Sequence, residues 1–425
     1  MGSRDASSAA GEAAEPVLSP YRVLDLAGEK GMFCGRVLAD LGANVIKIER
    51  PGGDPARSIG PFYHNIADPE KSLFWFFHNA GKRGITLNLE SEEGRGLFRR
   101  LVAKADFVVE SFPPGYLGSL DLGYEELQTI NRGVIMASIT PFGQTGPYRD
   151  YKADDLVAMA MGGYMYQIGD EDRPPLRIMV PQSYVHAGAH AANSALIALY
   201  SRHDSGRGQH IDVSLVEAVM REMLQEWGYW EVGHHLIGRL GPDVARASIR
   251  TREAWPCKDG QVGYRIVLGA FARSVREIAK LMKEEGLPLG PFERIQNWDN
   301  LDYGKMDQPT MDEWMDAIGS YFQRYTKAEL FQKAVDRAFY MAPSYNVKEI
   351  AEFEQLKARD FWAQIEHDEL GDTIAYPSRL IRSAEIPWQI ARRAPLIGEH
   401  NREVYVGELG LSEKDLGRLR QQGAI

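Results

Sequence analysis

The sequence predicts an α/β fold in which helices cover a parallel sheet. The first observation is a β-α-β unit near the start. Residues 21–26 and 44–49 have the apolar, β-branched character of strands, and a helix is expected from about 32 to 41. The second observation is that strand-like and helix-like segments keep alternating as far as residue 215. Strands separated by helices pair in parallel, because each crossover returns the chain to the same end of the sheet.

The later elements follow this alternation. Further strands are expected at 84–89, 106–110, 134–139 and 210–214, with helices at 92–105, at 187–200 and from about 215. From about residue 227 the chain becomes rich in turns and tryptophan, which predicts a smaller α+β domain. The expected organisation is a disordered tail at 1–20, a large domain at 21–226, the smaller domain at 227–372 and a return to the large domain at 373–425.

Composition narrows the classes of partner. The 425 residues are enough for two domains. With 49 Lys and Arg against 59 Asp and Glu, the formal net charge is −10, which argues against nucleic acid or an anionic membrane as the main partner. An anionic ligand must therefore be held by a few locally placed cations and backbone donors. Only Cys34 and Cys257 are present, so neither a disulfide framework nor a metal cluster is predicted, and a reducing, cytoplasmic compartment is expected.

Targeting and membrane segments are not predicted. Residues 1–20 lack the basic and apolar regions of a signal peptide. No apolar run approaches the length of a membrane span.

Several sequence blocks occur in the order found in one enzyme family. They lie at 21–28, 33–54, 79–89, 108–115, 142–148, 201–215 and 394–401. No single block is decisive, but together they resemble the class III CoA-transferases of the CaiB/BaiF type. This resemblance implies a large Rossmann-like domain with a parallel sheet, built from both chain ends, and a smaller α+β domain from the middle. It also implies an interlocked dimer of two threaded chains.

The resemblance also locates the position of the catalytic group. In this family an aspartate near the start of a helix attacks an acyl-CoA thioester and forms a mixed anhydride, for which a carboxylate is needed. Aligning Gly188 and the Ala-rich helix places Tyr184 at that position. No shift restores the acid, and the Asp154–Asp155 pair at an earlier helix start is explained by N-capping. No catalytic residue is therefore expected in this chain, and Tyr184 is expected to pack with its hydroxyl hydrogen-bonded.

Three positions match the family's CoA pocket. Arg50 corresponds to an arginine at the nucleotide end of CoA, and Leu87 and Phe112 correspond to residues that line the pocket. An ion pair of Arg50 with a neighbouring carboxylate, Asp54 or Glu49, is the alternative interpretation. Other positions depart from the family: Glu90 and Ser119 stand where cations occur, and the segment 27–31 is one residue short.

These observations predict the aspartate-lacking subunit of a heteromeric class III CoA-transferase. The chain resembles the corresponding subunits of succinyl-CoA-dependent transferases for benzylsuccinate and related aromatic acids. The expected partner is a paralogous subunit that carries the aspartate, the substrates are a CoA thioester and a carboxylic acid, and no covalently bound cofactor or metal is expected.

Two alternatives remain open. One is a racemase, isomerase or lyase of the same fold acting through histidine, for which the candidates are His78, His186 and His190. The spacing of His186 and His190 would also suit a metal pair, but two histidines alone are weak support and structural histidines are the preferred interpretation. The second alternative is a non-catalytic CoA-binding scaffold subunit.

Overall fold

The computed structural model describes residues 15–246, 249–378, 382–383 and 390–425. Two compact units are formed. The first takes its described residues from Met1–Tyr164, Arg177–Val232 and Gln355–Ile425, and the second from Met165–Leu176 and Gly233–Glu354.

A six-stranded parallel sheet forms the centre of the first unit. Its strands follow the order β3-β2-β1-β4-β5-β6. They are β1 (Arg22–Asp25), β2 (Asn44–Glu49), β3 (Arg83–Thr86), β4 (Phe107–Glu110), β5 (Ile135–Thr140) and β6 (His210–Ser214). Their side chains alternate between two apolar cores, one on each face of the sheet. The predicted α/β fold with a parallel sheet is confirmed.

Helices connect these strands. They are α1 (Met32–Asp40), α2 (Leu73–Asn79), α3 (Glu92–Val102), α4 (Tyr116–Ser119), α5 (Tyr124–Ile130), α6 (Asp155–Met161), α7 (Gln182–Ser205), α8 (Leu215–Arg221) and α9 (Leu224–Gly233). The bounds of β2 and β6 are those predicted, whereas α7 begins five residues before the predicted 187. The reason for its early start lies in a tertiary contact described below.

The N-terminal boundary of the sheet domain needs correction. Residues 1–14 of the tail predicted at 1–20 lie outside the described residues. Leu18, however, is buried in the core beside α1, and its N–H donates to the carbonyl oxygen of Leu41 at 3.1 Å. The ordered chain therefore begins before residue 20, because an apolar side chain near the end of the expected tail is buried in the core.

The second unit combines helices with two small antiparallel sheets. Its strands are β7 (Asp243–Arg246), β8 (Ile249–Arg252), β9 (Ala254–Cys257), β10 (Gly260–Tyr264) and β11 (Met341–Pro343). One sheet has three strands in the order β11-β10-β9, and the other is formed by β7 and β8. Its helices are α10 (Arg273–Glu284), α11 (Gln308–Phe322), α12 (Lys327–Arg337) and α13 (Val347–Glu352). Trp255 and Trp314 lie at the centre of its core.

The chain returns to the first unit earlier than the predicted residue 373. After α14 (Glu354–Ala358), the hairpin of β12 (Trp362–His367) and β13 (Asp372–Pro377) packs through Tyr376 against the core that contains Trp75 and Phe76. Burial of this apolar face assigns the hairpin to the first unit.

The C-terminal segment covers the outer edge of β3. Thr86 donates its N–H to the side-chain oxygen of Asn401 (2.8 Å) and accepts from the Asn401 amide through its hydroxyl (2.8 Å). The Thr86 carbonyl accepts from the hydroxyl of Tyr405 (2.7 Å), which lies in the π-helix Glu403–Glu408. Gly84 exchanges two further hydrogen bonds with His400. The backbone groups at the edge of β3, which would otherwise be exposed, are thereby hydrogen-bonded to the C-terminal segment.

The last helix, α15 (Glu413–Gln421), follows this segment. No helix of the described residues is long and apolar enough to cross a membrane.

We expect Asn401→Ala to destabilise the protein by about 1–3 kcal/mol, because the buried Thr86 N–H loses its acceptor. The measurement is the free energy of unfolding from urea denaturation. Asn300→Ala, at an exposed position of the second unit, is the control and should leave this value unchanged. Equal stability of the two variants would contradict this account of the β3 edge.

Candidate active site

The candidate site lies at the carboxyl end of the parallel sheet. The strand order reverses direction between β1 and β4, and open α/β sheets bind ligands at such a switch point. The loop after β1 crosses this point and is tied to the loop after β4, since Gly28 donates its N–H to the hydroxyl of Ser111 at 2.9 Å.

A buried ion pair lies at the start of the loop after β1. Lys82 and Asp25 are both fully buried, and their charged atoms are 2.7 Å apart. The Lys82 ammonium also donates to the carbonyl of Met32 and the side-chain oxygen of Asn79, and Asp25 accepts from the N–H of Ala27. Burial lowers the pKa of Lys82 to about 8, although the charge of Asp25 opposes that shift. The pair joins the end of β1 to the starts of α1 and β3.

Helix α7 approaches α1 closely enough to require glycine. A Cβ at Gly188 would lie 2.8 Å from the Cβ of Phe33 and 3.0 Å from the backbone nitrogen of Cys34. The backbones of the two helices can therefore meet only with glycine at this position. This contact places the first turn of α7, which carries Tyr184, beside the loop after β1.

Tyr184 takes part in a reciprocal capping arrangement between two helices. Its hydroxyl accepts a hydrogen bond from the backbone N–H of Asp155 (3.1 Å), the first residue of α6. In return, the carboxylate of Asp155 accepts from both the N–H (2.9 Å) and the hydroxyl (2.8 Å) of Ser183 in α7. Each helix thus satisfies an N-terminal donor of the other. Pro181, the residue before α7, offers no side-chain cap, which explains why α7 depends on Asp155.

Asp155 is a site residue that the sequence analysis missed. The N-cap of α6 is Asp154, whose carboxylate accepts from the N–H of Val157, so the second acid of the pair is free for another helix. Asp155 is buried, and no hydrogen-bond partner of its Oδ2 is found among the described residues. The signal in the sequence was an Asp-Asp pair at a helix start that needs only one cap.

The Tyr184 phenol keeps its proton near neutral pH. Burial raises its pKa well above the usual range, and the nearby charge of Glu29 adds to the shift. The expectation that Tyr184 packs with its hydroxyl hydrogen-bonded agrees with its buried position.

The structure leaves the Arg50 guanidinium available. Its Nε donates to the carbonyl of Gly53 at 3.2 Å and the side chain is exposed. The ion pair considered as an alternative is not formed: Glu49 pairs with Arg57 (2.6 Å), and Asp54 lies 3.7 Å from Lys47. The remaining Arg50 donors can therefore reach a ligand.

Leu87 and Phe112 lie in the loops after β3 and β4. Leu87 is buried and directly follows β3. Its N–H donates to the carbonyl of Glu49 (2.7 Å), the last residue of β2, which places Leu87 close to Arg50. Phe112 is half-buried and packs on Tyr116 with ring centres 4.7 Å apart. The Tyr116 hydroxyl in turn donates to Glu90 (3.2 Å), which joins the loops after β3 and β4.

A buried carboxylate lies beneath Phe112. Glu110 accepts from the N–H of Phe112 at 2.6 Å. Burial raises the pKa of Glu110 to about 7, while hydrogen bonds from Ser138 and Phe112 oppose the shift. The Ser138 hydroxyl also contacts the ring of His210 (2.9 Å), so a hydrogen-bonded chain crosses β4, β5 and β6.

The three candidate histidines separate into two groups. His78 is half-buried on α2; burial lowers its pKa to about 4, and its Nδ1 lies 2.8 Å from the carbonyl of Phe74. His186 and His190 both face Glu222, at 3.5 and 3.8 Å. The structure therefore supplies a carboxylate to this pair that sequence spacing did not predict. Among the described residues, no group of three or more His, Cys, Asp or Glu could hold a metal ion.

Comparison with known proteins shows which proteins this chain is similar to. The family model described as CoA-transferase family III matches residues 18–401. The chain is 34% identical to the succinyl-CoA:(R)-benzylsuccinate CoA-transferase subunit BbsE of Thauera aromatica, over 96% of this chain and 98% of that protein. It is 29% identical to the succinyl-CoA–L-malate CoA-transferase beta subunit of Chloroflexus aurantiacus, over 96% and 98% respectively. A CAIB/BAIF family protein from Brucella suis has a similar crystal structure, with 27% identity, a TM-score of 0.78, and coverage of 92% of this chain and 99% of that chain.

We expect Tyr184→Phe to destabilise the protein by about 1–3 kcal/mol, because the buried N–H of Asp155 loses its acceptor. Asp155→Ala should cost more, since two donors of Ser183 lose their partner. Urea denaturation measures both. Tyr200→Phe is the matched control, because Tyr200 is 77% exposed on the same helix. A Tyr184→Phe variant as stable as the control would show that the capping contact contributes nothing.

We expect the parent chain to lose stability relative to Glu110→Gln as pH rises from about 4.5 to about 7. In that window the folded protein retains a proton that the unfolded chain releases, because the pKa of Glu110 is raised from 4.5 to about 7. The shift corresponds to about 3 kcal/mol above pH 7. The measurement is the free energy of unfolding at several pH values. Glu125→Gln, at an exposed carboxylate on α5, should keep the slope of the parent chain.

Proposed function

This chain belongs to CoA-transferase family III, and we propose that it is the aspartate-lacking subunit of a heteromeric member of that family. The observation that carries the proposal is the residue at the start of α7. The position assigned to the family's aspartate is Tyr184, and its hydroxyl accepts the N–H of Asp155.

The chemistry of the family explains why this matters. Transfer through a mixed anhydride needs a carboxylate that can attack a thioester carbonyl. A buried phenol with a raised pKa is a poor nucleophile near neutral pH, and it cannot form an anhydride. The carboxylate of Asp155, whose backbone contacts Tyr184, is buried and accepts from the two donors of Ser183 through one oxygen. The covalent step is therefore assigned to a partner subunit that carries the aspartate.

The substrates are proposed from the relatives. Two matched proteins are named as succinyl-CoA-dependent transferase subunits, one for benzylsuccinate and one for malate. We assign succinyl-CoA as the donor and an aromatic-substituted succinate as the acceptor acid. In this chain, Arg50, Leu87 and Phe112 would hold CoA at the carboxyl end of the sheet.

The exposed surface of the first unit supports association with another chain. Large apolar side chains on and near α9 are left in solvent, including Leu224, Trp227, Trp230 and Val232. Monomeric proteins rarely expose so many large apolar groups together. We propose that a paralogous subunit of the same family covers this surface in an interlocked dimer.

A second candidate function is favoured by one contact. The His186–Glu222 pair, 3.5 Å apart, resembles an acid–base pair that removes a proton next to a thioester. An isomerase of this kind would exchange the α-hydrogen of an acyl-CoA with solvent deuterium. Exchange that is abolished in His186→Asn would favour the isomerase over the transferase.

We expect the isolated chain to form no acyl adduct with succinyl-CoA, because no carboxylate stands at Tyr184. The measurement is intact mass before and after hydroxylamine treatment, which cleaves an anhydride. The native assembly, purified with the chain that accompanies it, should carry the adduct on that partner. A hydroxylamine-sensitive adduct on this chain would overturn the assignment.

We expect co-expression with the paralogous subunit to yield active complex, whereas mixing separately purified chains should not. Interlocked chains cannot exchange without unfolding, so the partner must be acquired during folding. Transferase activity and sedimentation measure the outcome. A fully active homodimer of this chain would contradict the heteromer.

A further inference from the structure

CoA is strongly anionic, whereas this chain carries a net negative charge. The net charge is −10, so the overall field opposes binding and local cations must hold the phosphates. Ser119 stands where a cation is expected, and its hydroxyl donates to the carbonyl of Tyr116 (2.7 Å) within α4. The turn after β4 therefore contributes no positive charge of its own.

A cation reaches this turn from the neighbouring loop. Arg149 lies between β5 and α6, and its Nη2 is 3.5 Å from the position a Cβ would take on Gly115. Gly115 precedes α4 and has a positive φ of 81°. The guanidinium of Arg149 thus lies beside Gly115, which follows Phe112 by three residues in the turn after β4.

The guanidinium is only weakly engaged. Its Nε contacts the carboxylate of the adjacent Asp150 at 3.2 Å, and that carboxylate is 77% exposed. Exposed pairs of this kind contribute little. Among the residues that the structure describes, no acceptor is found for Nη1 or Nη2. Two parallel donors are the arrangement that binds phosphate in a bidentate manner.

The loop that carries Arg149 is held in place. Gln144 donates its N–H to the carboxylate of Asp212 at 2.8 Å, and Gly143 and Gly146 both adopt positive φ. The rings of Tyr148 and Tyr151, on either side of Arg149, pack with their centres 5.2 Å apart. A side chain on a fixed loop loses less conformational freedom when a ligand binds.

We propose that Arg149 binds a phosphate group of CoA at the loop after β4, and so supplies the charge that Ser119 lacks. This inference rests on the proposed function for the identity of the ligand. Arg50, after β2, and Arg149, after β5, then hold the anionic end of CoA from two sides of the switch point.

The test is calorimetric binding of CoA, 3′-dephospho-CoA and pantetheine to the full chain, in the assembly in which it is purified. Arg149→Ala should weaken CoA binding by about 10-fold to 100-fold, the loss expected for a charge-assisted hydrogen bond. Pantetheine, which has no phosphate, should bind Arg149→Ala and the parent chain equally. Loss for CoA alone assigns Arg149 to the 3′-phosphate, and equal loss for dephospho-CoA assigns it to the diphosphate.

Three variants serve as comparisons. Arg149→Lys keeps the charge without the paired donors and should show an intermediate loss. Arg50→Ala should weaken CoA by a similar factor if both residues hold phosphate. Arg207→Ala, at an exposed arginine before β6 and therefore at the opposite end of the sheet, should change nothing.

The proposal is overturned if Arg149→Ala binds CoA as tightly as the parent chain, or if it loses pantetheine to the same extent as CoA. Thermal unfolding of each variant separates a binding effect from misfolding. Transferase activity is measured independently. An assembly that binds CoA through Arg149 but transfers no CoA would refute the proposed function and leave this inference standing.

Discussion

The buried ion pair between Lys82 and Asp25 is the constraint on which the candidate site depends. Two charges with no solvent exposure are tolerable only because each is fully hydrogen-bonded, and removing one partner of such a pair typically costs about 3–5 kcal/mol. Their contacts determine where β1 ends and α1 begins. Even the helix sequence conforms to them, since a Cβ at Gly35 would lie 2.1 Å from the Asp25 carboxylate.

The loop above that pair leads to the first turn of α7, where Tyr184 caps a neighbouring helix. The first turn of α7 presents the phenol of Tyr184 to the N-terminus of α6. Asp155 completes the exchange by capping α7. Tyr184 is therefore part of the contact between the two helices, and under our proposal this contact keeps the architecture in a chain without the aspartate.

The charged groups near the candidate site differ in whether they form ion pairs. Charged groups at the ends of β1 and β2 form ion pairs, as Asp25 does with Lys82 and Glu49 with Arg57. Arg50 and Arg149 differ because their outer donors have no acceptor among the described residues. In a chain of net negative charge, guanidinium groups whose outer donors have no acceptor are the positions where an anionic ligand is bound most favourably.

The sequence by itself determined the elements and the family. Local apolar periodicity located β2 and β6, because side-chain alternation within a strand is a property of adjacent residues. The ordered blocks identified the family, and the composition between Asp172 and Glu217 showed that no acid stands near Tyr184 along the chain. Only the tertiary structure brought Asp155 to Ser183, Glu222 to His186 and Arg149 to Gly115. Each of these pairs is separated by about 30 residues, and their contacts depend on how helices and loops pack, which no local pattern encodes.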